Sequence, residues 1–507
     1  MSSTEIVSAA STRRPIGDRR RRSPLRALGR VPALGWVCAL VACANAVCWS
    51  IITPPFQVPD EPDHVAYVKQ LAETGHVPTT NMGSLPFEEA IALEDLHHTL
   101  VAERPENQTI LTRAQEQKLQ RDLLEAEHSP ERGSAYAGVA TSQPPLYYAL
   151  EAIPYSLASS GTLLDRLEAM RLLSAVMGGL TALFTFLFVR EALPRVPEAW
   201  TVGGLAVALV PLLGFMSGAV NPDAMLYAVT AALFYCLARA FRHGLTRGRA
   251  ATLGALTAVG LMTKLNFIGI APGVLLGLLV LGLREMRAQG RRALVPLGIA
   301  LATAVSPVLA YVAVHVAAGS PALGIVSRGI RTTSGSLWSE ASYIWQLYLP
   351  ALPGTHDDFA GVLTARQIWF DWYVGLYGWL DTTFPGWVYD LALIPAGAIA
   401  GLCLREVIAS APALRARAGE LVVYGAMCAG LMVLIGADSY RGFPSVDAEY
   451  GQVRYLLPLL PLLGVVLALA ARGAGRRWAP IVGAAIIMLF LAHDVFSQLQ
   501  VVARFYG

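Results

Sequence analysis

The stretch ALGWVCALVACANAVCWSII, residues 33–52, decides the fold class of this chain. It carries no charged side chain and has the length that an α-helix needs to cross the hydrocarbon core of a bilayer. No small-residue cleavage site follows it, since the next residues are Thr53, Pro54 and Pro55. We therefore interpret it as a retained first membrane span and not as a signal peptide.

Similar apolar stretches recur almost to the C-terminus, and the composition agrees with them. Of 507 residues, 54% are hydrophobic and 15% are charged, whereas soluble globular proteins carry about 25% charged residues. The mean hydropathy is +0.49. All six cysteines fall inside apolar stretches, which argues against a disulfide framework and a thiolate zinc site. The net charge of +3 does not point to nucleic acid as a partner; the surrounding partner is the lipid bilayer.

Hydropathy predicts an all-α polytopic membrane protein with about 11 transmembrane helices. Their approximate bounds are 33–52, 169–189, 199–219, 222–240, 249–265, 266–283, 293–315, 387–404, 419–437, 455–471 and 478–496. With the N-terminus inside, the inner segments hold 24 Lys and Arg residues and the short outer segments hold 4. This distribution predicts a cytoplasmic N-terminus and an external C-terminus. Few lysines beside frequent Ala, Gly and Arg suggest a bacterial protein, and hence the inner membrane.

The spans divide the chain into a basic cytoplasmic tail and three further parts. These are residues 1–32 for the tail, 33–315 for a transmembrane module, 316–386 for an aromatic-rich outer loop and 387–507 for the C-terminal transmembrane helices. The module includes a long first outer loop, 53–168, in which residues 63–75 and 113–127 show helical patterns. Residues 143–160 are apolar but short and interrupted by Pro154, so we expect them to lie along the outer membrane surface.

An acidic cluster, Pro59-Asp60-Glu61-Pro62-Asp63-His64, follows the first span. In the simplest interpretation, Asp60 caps the helix that begins here and the other acids favour its positive end. A cap needs one acid, however, and this site has three. The alternative is that one carboxylate acts as a general base while its neighbours position a substrate or a divalent cation.

Further motifs follow in a characteristic order. They are Q-P-P-L-Y-Y at 143–148, Arg171-Leu-Leu-Ser-Ala, Asn221-Pro-Asp223, Leu261-Met-Thr-Lys264 and Arg454-Tyr-Leu-Leu-Pro-Leu-Leu-Pro. With the D-E pair after the first span, they resemble the GT-C superfamily of integral-membrane glycosyltransferases, which use polyprenyl-phosphate sugar donors. Within it, the chain resembles a bacterial family of predicted membrane proteins of unknown function. The resemblance runs from about residue 33 to 470.

This resemblance implies roles for particular residues. The catalytic base would be Asp60, with Glu61 as its pair, although the sequence after the D-E pair departs from the family pattern and Asp63 could take the role instead. Asp223 would be the second acid, at an outer helix end. Lys264 and Arg454 would hold the lipid phosphate.

The predicted topology supports the same grouping, because Asp60, Asp223, Lys264 and Arg454 come from four elements that all end at the outer surface. Plainer explanations exist for each: Asp223 could cap a helix and Arg454 could be an interfacial anchor.

Other candidate residues stand apart from this group. Trp369 and Trp372 either stack on sugar rings or belong to a membrane-interface belt. His64 is a candidate substrate contact. His97-His98 and His356-Asp357-Asp358 lack the i, i+4 spacing of helical metal ligands, and we interpret them as solvated loop residues.

We therefore predict an inverting glycosyltransferase of the cell envelope. Its donor would be a polyprenyl-phosphate-linked sugar and its acceptor an envelope polysaccharide, glycolipid or protein. A transporter or flippase of lipid-linked sugars is the alternative; transporters keep ionisable groups at mid-membrane depth, whereas here the charges crowd the span ends.

Overall fold

The structure is a computed structural model that describes residues 31–78, 85–126, 138–194, 196–317, 336–355, 364–442 and 452–507. The basic tail up to residue 30 and the His356-Asp357-Asp358 motif lie outside the described residues.

Helices make up almost all of the regular structure. In chain order they are α1 (Ala33–Ile52), α2 (Glu61–Thr74), α3 (Phe87–Asp95), α4 (His98–Val101), α5 (Arg113–Ala126), α6 (Leu146–Leu157), α7 (Leu163–Ala192), α8 (Pro197–Ala208), α9 (Pro211–Ser217), α10 (Asp223–His243), α11 (Arg247–Thr263), α12 (Phe267–Gln289), α13 (Leu294–Ala317), α14 (Leu337–Tyr348), α15 (Trp372–Val374), α16 (Gly386–Ala409), α17 (Ala411–Arg415), α18 (Ala418–Gly442), α19 (Leu460–Gly473) and α20 (Ala479–Tyr506). A small antiparallel hairpin pairs β1 (Leu376–Tyr377) with β2 (Thr382–Thr383). The prediction of an all-α polytopic protein is confirmed.

Eight stretches within the described residues are long and apolar enough to cross a membrane, or nine if the bent pair α8 and α9 is one span. The predicted count of 11 is therefore not confirmed. Two features account for the difference. Helix α11 has 17 residues, one turn or so short of a full span. Helices α12 and α13, separated by the short 3₁₀ turn Gly290–Ala293, count together as one 48-residue stretch.

Close helix contacts show how neighbouring helices run. Gly273 of α12 lies against Met427 of α18, where a Cβ would come within 2.5 Å of the Met427 backbone nitrogen. Four residues earlier, Gly269 meets Leu431, four residues later in α18. The opposite direction of the two numberings means that α12 and α18 are antiparallel, and small residues let their backbones approach closely.

The helix ends form two opposite faces. We call one the basic face; it carries the helix ends and turns around residues 191–192, 239–249, 284–292, 405–417 and 472–477. Contacts join these segments: Arg417 donates to the carbonyl of Ala192 (2.7 Å), and Arg405 donates to that of Gly473 (2.6 Å). The N-terminal end of α1 lies on this face, because Gly35 contacts Phe186 near the end of α7.

The other face, which we call the site face, carries the first outer loop and the end of α20. Arg504 near that end donates hydrogen bonds to the carbonyl of Val101 (2.9 Å) and to Asp381 (2.7 Å). The described N-terminal end and the C-terminus are thus on opposite faces. Which face is cytoplasmic stays a prediction.

Helices α2 and α6 of the first outer loop pack against each other over the site face. The rings of Tyr67 and Tyr148 stack with centroids 3.7 Å apart, and Val65 and Val68 are buried beside them. Helix α6 is the segment expected to lie along the membrane surface; it has 12 residues, too few to cross the bilayer, and contains Pro154. This pair of helices covers the end of the bundle where the charged motifs gather.

Candidate active site

Asp60 lies in the turn that joins α1 to α2. It occupies the N-cap position of α2 with a φ of +66°, a left-handed conformation that is uncommon for residues other than glycine. Its side chain makes no capping hydrogen bond. Instead, Oδ2 lies 2.6 Å from Nη2 of Arg454. The capping interpretation of Asp60 is therefore wrong: the carboxylate turns away from the helix and into an ion pair.

Arg454 reaches the site from the 3₁₀ turn Val453–Leu459, which precedes α19. Its side chain is buried, and its guanidinium carbon lies 5.2 Å from the ring centroid of Tyr455. The hydroxyl of Tyr227 donates to the Arg454 carbonyl (3.0 Å) and fixes the turn. The Nε and Nη1 atoms are buried without a hydrogen-bond partner among the described residues. An interfacial anchor would extend into the headgroups, so that explanation does not fit this side chain.

A second ion pair joins Lys264 to Asp223, with Nζ 2.8 Å from Oδ1 and both residues buried. Lys264 directly follows α11 in an extended conformation, and its ammonium lies 5.6 Å from the Tyr455 ring centroid. Asp223 begins α10, but its own backbone N–H is capped by the side chain of Asn221 (3.0 Å). The Asp223 carboxylate thus serves the ion pair and not a helix cap.

The two ion pairs form one cluster. Tyr455 lies against both cations, so the ion pairs Asp60–Arg454 and Lys264–Asp223 meet at a single phenol ring. The structure thus brings together the four residues that the predicted topology placed at one surface. We call these four residues with Tyr455 the ion-pair cluster.

Glu61 has a different position from the one expected of a catalytic partner of Asp60. It is fully buried and bonded to Arg171, with Nε at 2.8 Å and Nη2 at 2.6 Å. Its oxygens also accept the backbone N–H groups of Phe56 (2.9 Å) and Val220 (3.0 Å). Four donors fill the acceptor capacity of the carboxylate. These contacts fix the position of Glu61, and its predicted part in catalysis stays a prediction.

Arg171 connects Glu61 to the end of the first span, and we call the Glu61–Arg171 ion pair the brace. Beyond Glu61, it donates hydrogen bonds to the carbonyls of Ser50 (3.1 Å), Thr53 (3.0 Å) and Pro54 (3.2 Å). Ser50 lies in the last turn of α1, where carbonyls have no helical partner, and Thr53 and Pro54 follow directly. The Glu61–Arg171 pair therefore fixes the turn that carries Asp60.

Asp63 and His64 contact later residues of the first outer loop, to which they also belong. Asp63 Oδ2 accepts the N–H of Val139 (2.8 Å); burial raises the pKa of this carboxyl, while the Val139 hydrogen bond opposes the shift. His64 is buried with Nδ1 3.0 Å from the hydroxyl of Tyr148. Burial lowers the pKa of His64 to about 3, so the imidazole is neutral at pH 7. For Asp60, burial alone would raise the pKa, but the charge and hydrogen bond of Arg454, together with the other nearby cations, hold the pKa below the usual range.

The acidic cluster is not arranged as a binding site for a divalent cation. Asp60, Glu61 and Asp63 each point at a different partner, namely Arg454, Arg171 and Val139. In the part of the chain that the structure describes, no group of three or more His, Cys, Asp or Glu residues is placed to hold a metal ion.

With this geometry in place, the family can be assigned. Residues 43–463 match the family described as "Predicted membrane protein (DUF2142)". The chain belongs to this family. That membership confirms the predicted resemblance to a family of predicted membrane proteins. No curated protein matches this DUF2142 chain by sequence.

Among solved structures, this DUF2142 protein is similar to ArnT from Cupriavidus metallidurans bound to undecaprenyl phosphate. The identity is 13%, the TM-score is 0.41, and the match covers 93% of this chain and 76% of that one. It is also similar to the oligosaccharyltransferase of Archaeoglobus fulgidus, at 14% identity and a TM-score of 0.44, over 93% of this chain and 56% of that one. The same archaeal enzyme, AglB, in complex with an inhibitory peptide and a dolichol-phosphate, gives 13% identity and a TM-score of 0.43, with coverage of 93% and 55%. The DUF2142 chain thus spans little more than half the length of the archaeal enzyme.

The two tryptophans predicted at the site pack against other residues of the protein. The indole of Trp369 donates to the carbonyl of Leu347 (2.6 Å) and its ring stacks on Tyr348 with centroids 4.8 Å apart. Trp372 is half-buried and packs against the cluster that contains Trp49. Their proposed contact with sugar stays a prediction.

The prediction that His97 and His98 are solvated loop residues is wrong, because both are half-buried and His98 begins α4. The Nε2 atom of His97 lies 3.1 Å from Gln115, and that of His98 lies 3.1 Å from the carbonyl of Phe56.

Sequence reasoning missed three contributors. Tyr455, between the two cations, follows Arg454 directly and was visible only as part of a motif. Arg171 also belongs to a motif, but the sequence alone does not indicate its bonds to Glu61 and to the end of α1. Gln143, of the Q-P-P-L-Y-Y motif, accepts the N–H of Leu265 (3.2 Å) and thereby ties the first outer loop to the end of α11.

Proposed function

We propose that this protein is an inverting glycosyltransferase that moves a sugar from a polyprenyl-phosphate donor to an acceptor hydroxyl of the cell envelope. The observation that carries the proposal is the ion-pair cluster. A carboxylate there touches a buried arginine that has unused N–H groups, with a buried lysine close by.

Arg454 supports the phosphate half of the proposal. A buried N–H group without a partner costs about 1–3 kcal/mol, and Nε and Nη1 of this side chain are two such groups. A guanidinium N–H forms a charge-assisted hydrogen bond to a phosphate oxygen, so a donor phosphate beside Arg454 would give a partner to an N–H group that now has none. Lys264, beyond Tyr455, would add a second positive charge to the same subsite.

Asp60 supports the second part of the proposal, which is proton transfer to a general base. Its carboxylate is ionised at neutral pH because Arg454 holds its pKa low, but a carboxylate tied to a guanidinium is a weak base. When the donor phosphate draws Arg454 to itself, the Asp60 carboxylate loses its counter-charge and gains basicity. Binding of the donor thus prepares the base for the acceptor.

The reaction then follows in one displacement. The acceptor oxygen bonds to the anomeric carbon as its proton passes to Asp60. The bond from that carbon to the phosphate oxygen breaks, and the electron pair stays on the phosphate, where Arg454 and Lys264 stabilise the developing charge. Attack opposite the leaving phosphate inverts the anomeric centre.

A transporter of lipid-linked sugars is the second candidate, because one acid lies well inside a span. Asp494 of α20 is buried and accepts hydrogen bonds from Trp49 (3.0 Å) and Gln498 (3.1 Å). Ionisable groups at such depth are typical of transport pathways. Both oxygens of Asp494 have partners, however, whereas the unused donors lie at the ion-pair cluster.

A transfer assay separates the two functions. The purified protein is given a radiolabelled polyprenyl-phosphate sugar and an acceptor fraction from the envelope. We expect acceptor-dependent release of polyprenyl phosphate, reduced by roughly 10²–10⁴-fold in Asp60→Asn. Asp390→Asn, the same change at an exposed residue of α16, is the control and should keep full activity. Movement of intact donor across a vesicle membrane, without release of lipid phosphate, would overturn the proposal in favour of transport.

A further inference from the structure

The basic face contains a cavity that the proposed reaction does not use. Its volume is about 510 Å³, and it lies where the turn between α10 and α11 meets the turn between α12 and α13. Thr246 and Arg247 line it on one side, and Arg292, Val295 and Pro296 line it on the other. It is therefore on the face opposite to the ion-pair cluster.

The two arginines that line the cavity have side chains without a partner among the described residues. The side chains of Arg247 and Arg292 are exposed, and they make no hydrogen bond or ion pair with any other described residue. Their neighbours are committed: Arg249 donates to the carbonyls of His243 (2.7 Å) and Gly244 (2.6 Å), and Arg284 donates to that of Phe241 (2.9 Å). Arg247 and Arg292 are thus two cations available at one cavity.

The turn that carries Arg247 is held in place by hydrogen bonds within the protein, without any ligand. The hydrogen bonds from Arg249 fix the turn after α10, and Gly244 takes the positive φ of +79° that this turn needs. Glu285, the one acid among the described residues that line the cavity, accepts the N–H of Leu245 (3.1 Å) and the amide of Gln289 (2.6 Å). Its oxygens are occupied, and they do not neutralise either arginine directly.

The surface beside the cavity is apolar. Leu294 and Val295 are 52% and 47% exposed, and along α13 the exposed residues continue with Leu301, Val305 and Leu309. A polar cavity that opens next to an exposed apolar helix matches a molecule with an anionic head and hydrocarbon chains. A small soluble anion would gain nothing from this second surface.

We propose that this cavity binds the phosphate headgroup of an anionic phospholipid, with the acyl chains lying along α13. Basic pockets between transmembrane helices bind such headgroups in other membrane proteins. The diffuse attraction of any basic face to anionic lipid does not require a cavity, so the proposal makes a local prediction. It is independent of whether the opposite face transfers sugar.

The test measures binding of dioleoyl-phosphatidylglycerol to the full chain in detergent by native mass spectrometry. Arg247→Gln with Arg292→Gln should weaken binding by roughly 25-fold, since each basic residue contributes about fivefold. The control pair, Arg415→Gln with Arg476→Gln, removes the same charge from exposed positions of the same face and should leave affinity within about twofold.

Each other result overturns the inference. An equal loss in the control pair would mean diffuse attraction only. Equal binding of dioleoyl-phosphatidylcholine would mean that the headgroup charge is not recognised. Displacement of the lipid by glycerol phosphate at similar concentration would mean that the cavity takes a free phosphate and not a membrane lipid.

Discussion

The carboxylate of Asp60 lies 2.6 Å from the guanidinium of Arg454, although 394 residues separate them in the chain. This contact joins the turn after α1 to the turn before α19, so it closes the site between elements from the two ends of the protein. It also means that the proposed base and the proposed phosphate ligand compete for each other before a donor arrives.

The phosphate subsite predicts the behaviour of Arg454 and Lys264 variants. Arg454→Ala and Lys264→Ala should each weaken donor binding by about 10- to 100-fold, since charge-assisted hydrogen bonds contribute roughly 1.5–3 kcal/mol. Turnover should fall as well, because the leaving phosphate gains further negative charge in the transition state and these cations stabilise it. The measurements are donor affinity by equilibrium binding and kcat by product release.

Arg454→Lys provides the control for misfolding, because it keeps the charge beside Asp60 and loses the planar fork. We expect it to fold normally and still bind donor less tightly than the wild type. Unchanged donor affinity in Arg454→Lys and Lys264→Ala together would reject the phosphate subsite.

The brace between Glu61 and Arg171 predicts a loss of stability before any loss of chemistry. Removing one partner of a buried ion pair costs about 3–5 kcal/mol, so Glu61→Gln and Arg171→Met should each lower the thermal unfolding temperature clearly. The double variant should lose less than the sum of the single variants, because no buried charge is left unpaired. If Glu61→Gln unfolds like the wild type but has no transferase activity, Glu61 is catalytic after all.

The grouping of the ion-pair cluster could be predicted because charges at the ends of apolar spans are visible in sequence. Asp60, Asp223, Lys264 and Arg454 each border a span, and parity of the spans places them on one side. Their partners could not be predicted in the same way. Whether Asp60 turns toward α2 or toward Arg454 depends on a left-handed φ and on how α19 packs, and neither is encoded within a few residues of Asp60.

Some helix ends could likewise be predicted from the sequence, whereas contacts between helices could not. Helix α7 begins at Leu163, six residues before the predicted span, because Thr162 and Asp165 form a capping box. The predicted span 199–219 is broken by a bend of 55° between α8 and α9, where Pro211 prevents a continuous hydrogen-bond ladder. Both signals were present in the sequence. Arg171 was different: its role became visible only once α1 and α7 were packed together.

The buried His64 predicts a pH dependence of stability. Its pKa is about 3 in the folded protein, against an ordinary value of 6.5. Between pH 6.5 and pH 3 the unfolded chain therefore binds a proton that the folded chain does not, and stability falls as the pH falls, by up to about 1.4 kcal/mol per unit. Thermal unfolding of His64→Gln, which keeps a hydrogen-bonding group toward Tyr148, should show a weaker dependence in this window. The same slope in both proteins would contradict the assignment.

The predicted orientation can be tested with reporter fusions. A reporter that is active only outside the cytoplasm should be active after Gly507 and inactive in the turn at Gly290. The structure places these two positions on opposite faces, so the pair must give opposite results. The reverse pattern at both positions would put the ion-pair cluster in the cytoplasm and remove the external acceptor from the proposal.

The choice between Asp60 and Asp63 as base gives the last prediction. Asp63 is held by the N–H of Val139, whereas Asp60 touches the residue proposed to bind the donor phosphate. Asp63→Asn should therefore retain activity within about tenfold, while Asp60→Asn loses roughly 10²–10⁴-fold in transfer.

Donor binding sharpens this comparison. Asn at position 60 no longer attracts Arg454 as a charge, so Asp60→Asn should bind donor at least as tightly as the wild type while it fails to turn over. Loss of donor affinity in Asp60→Asn would mean that its effect is on folding or binding and not on proton transfer. A dead Asp63→Asn beside a fully active Asp60→Asn would move the base to Asp63, and full activity in both would reject this mechanism.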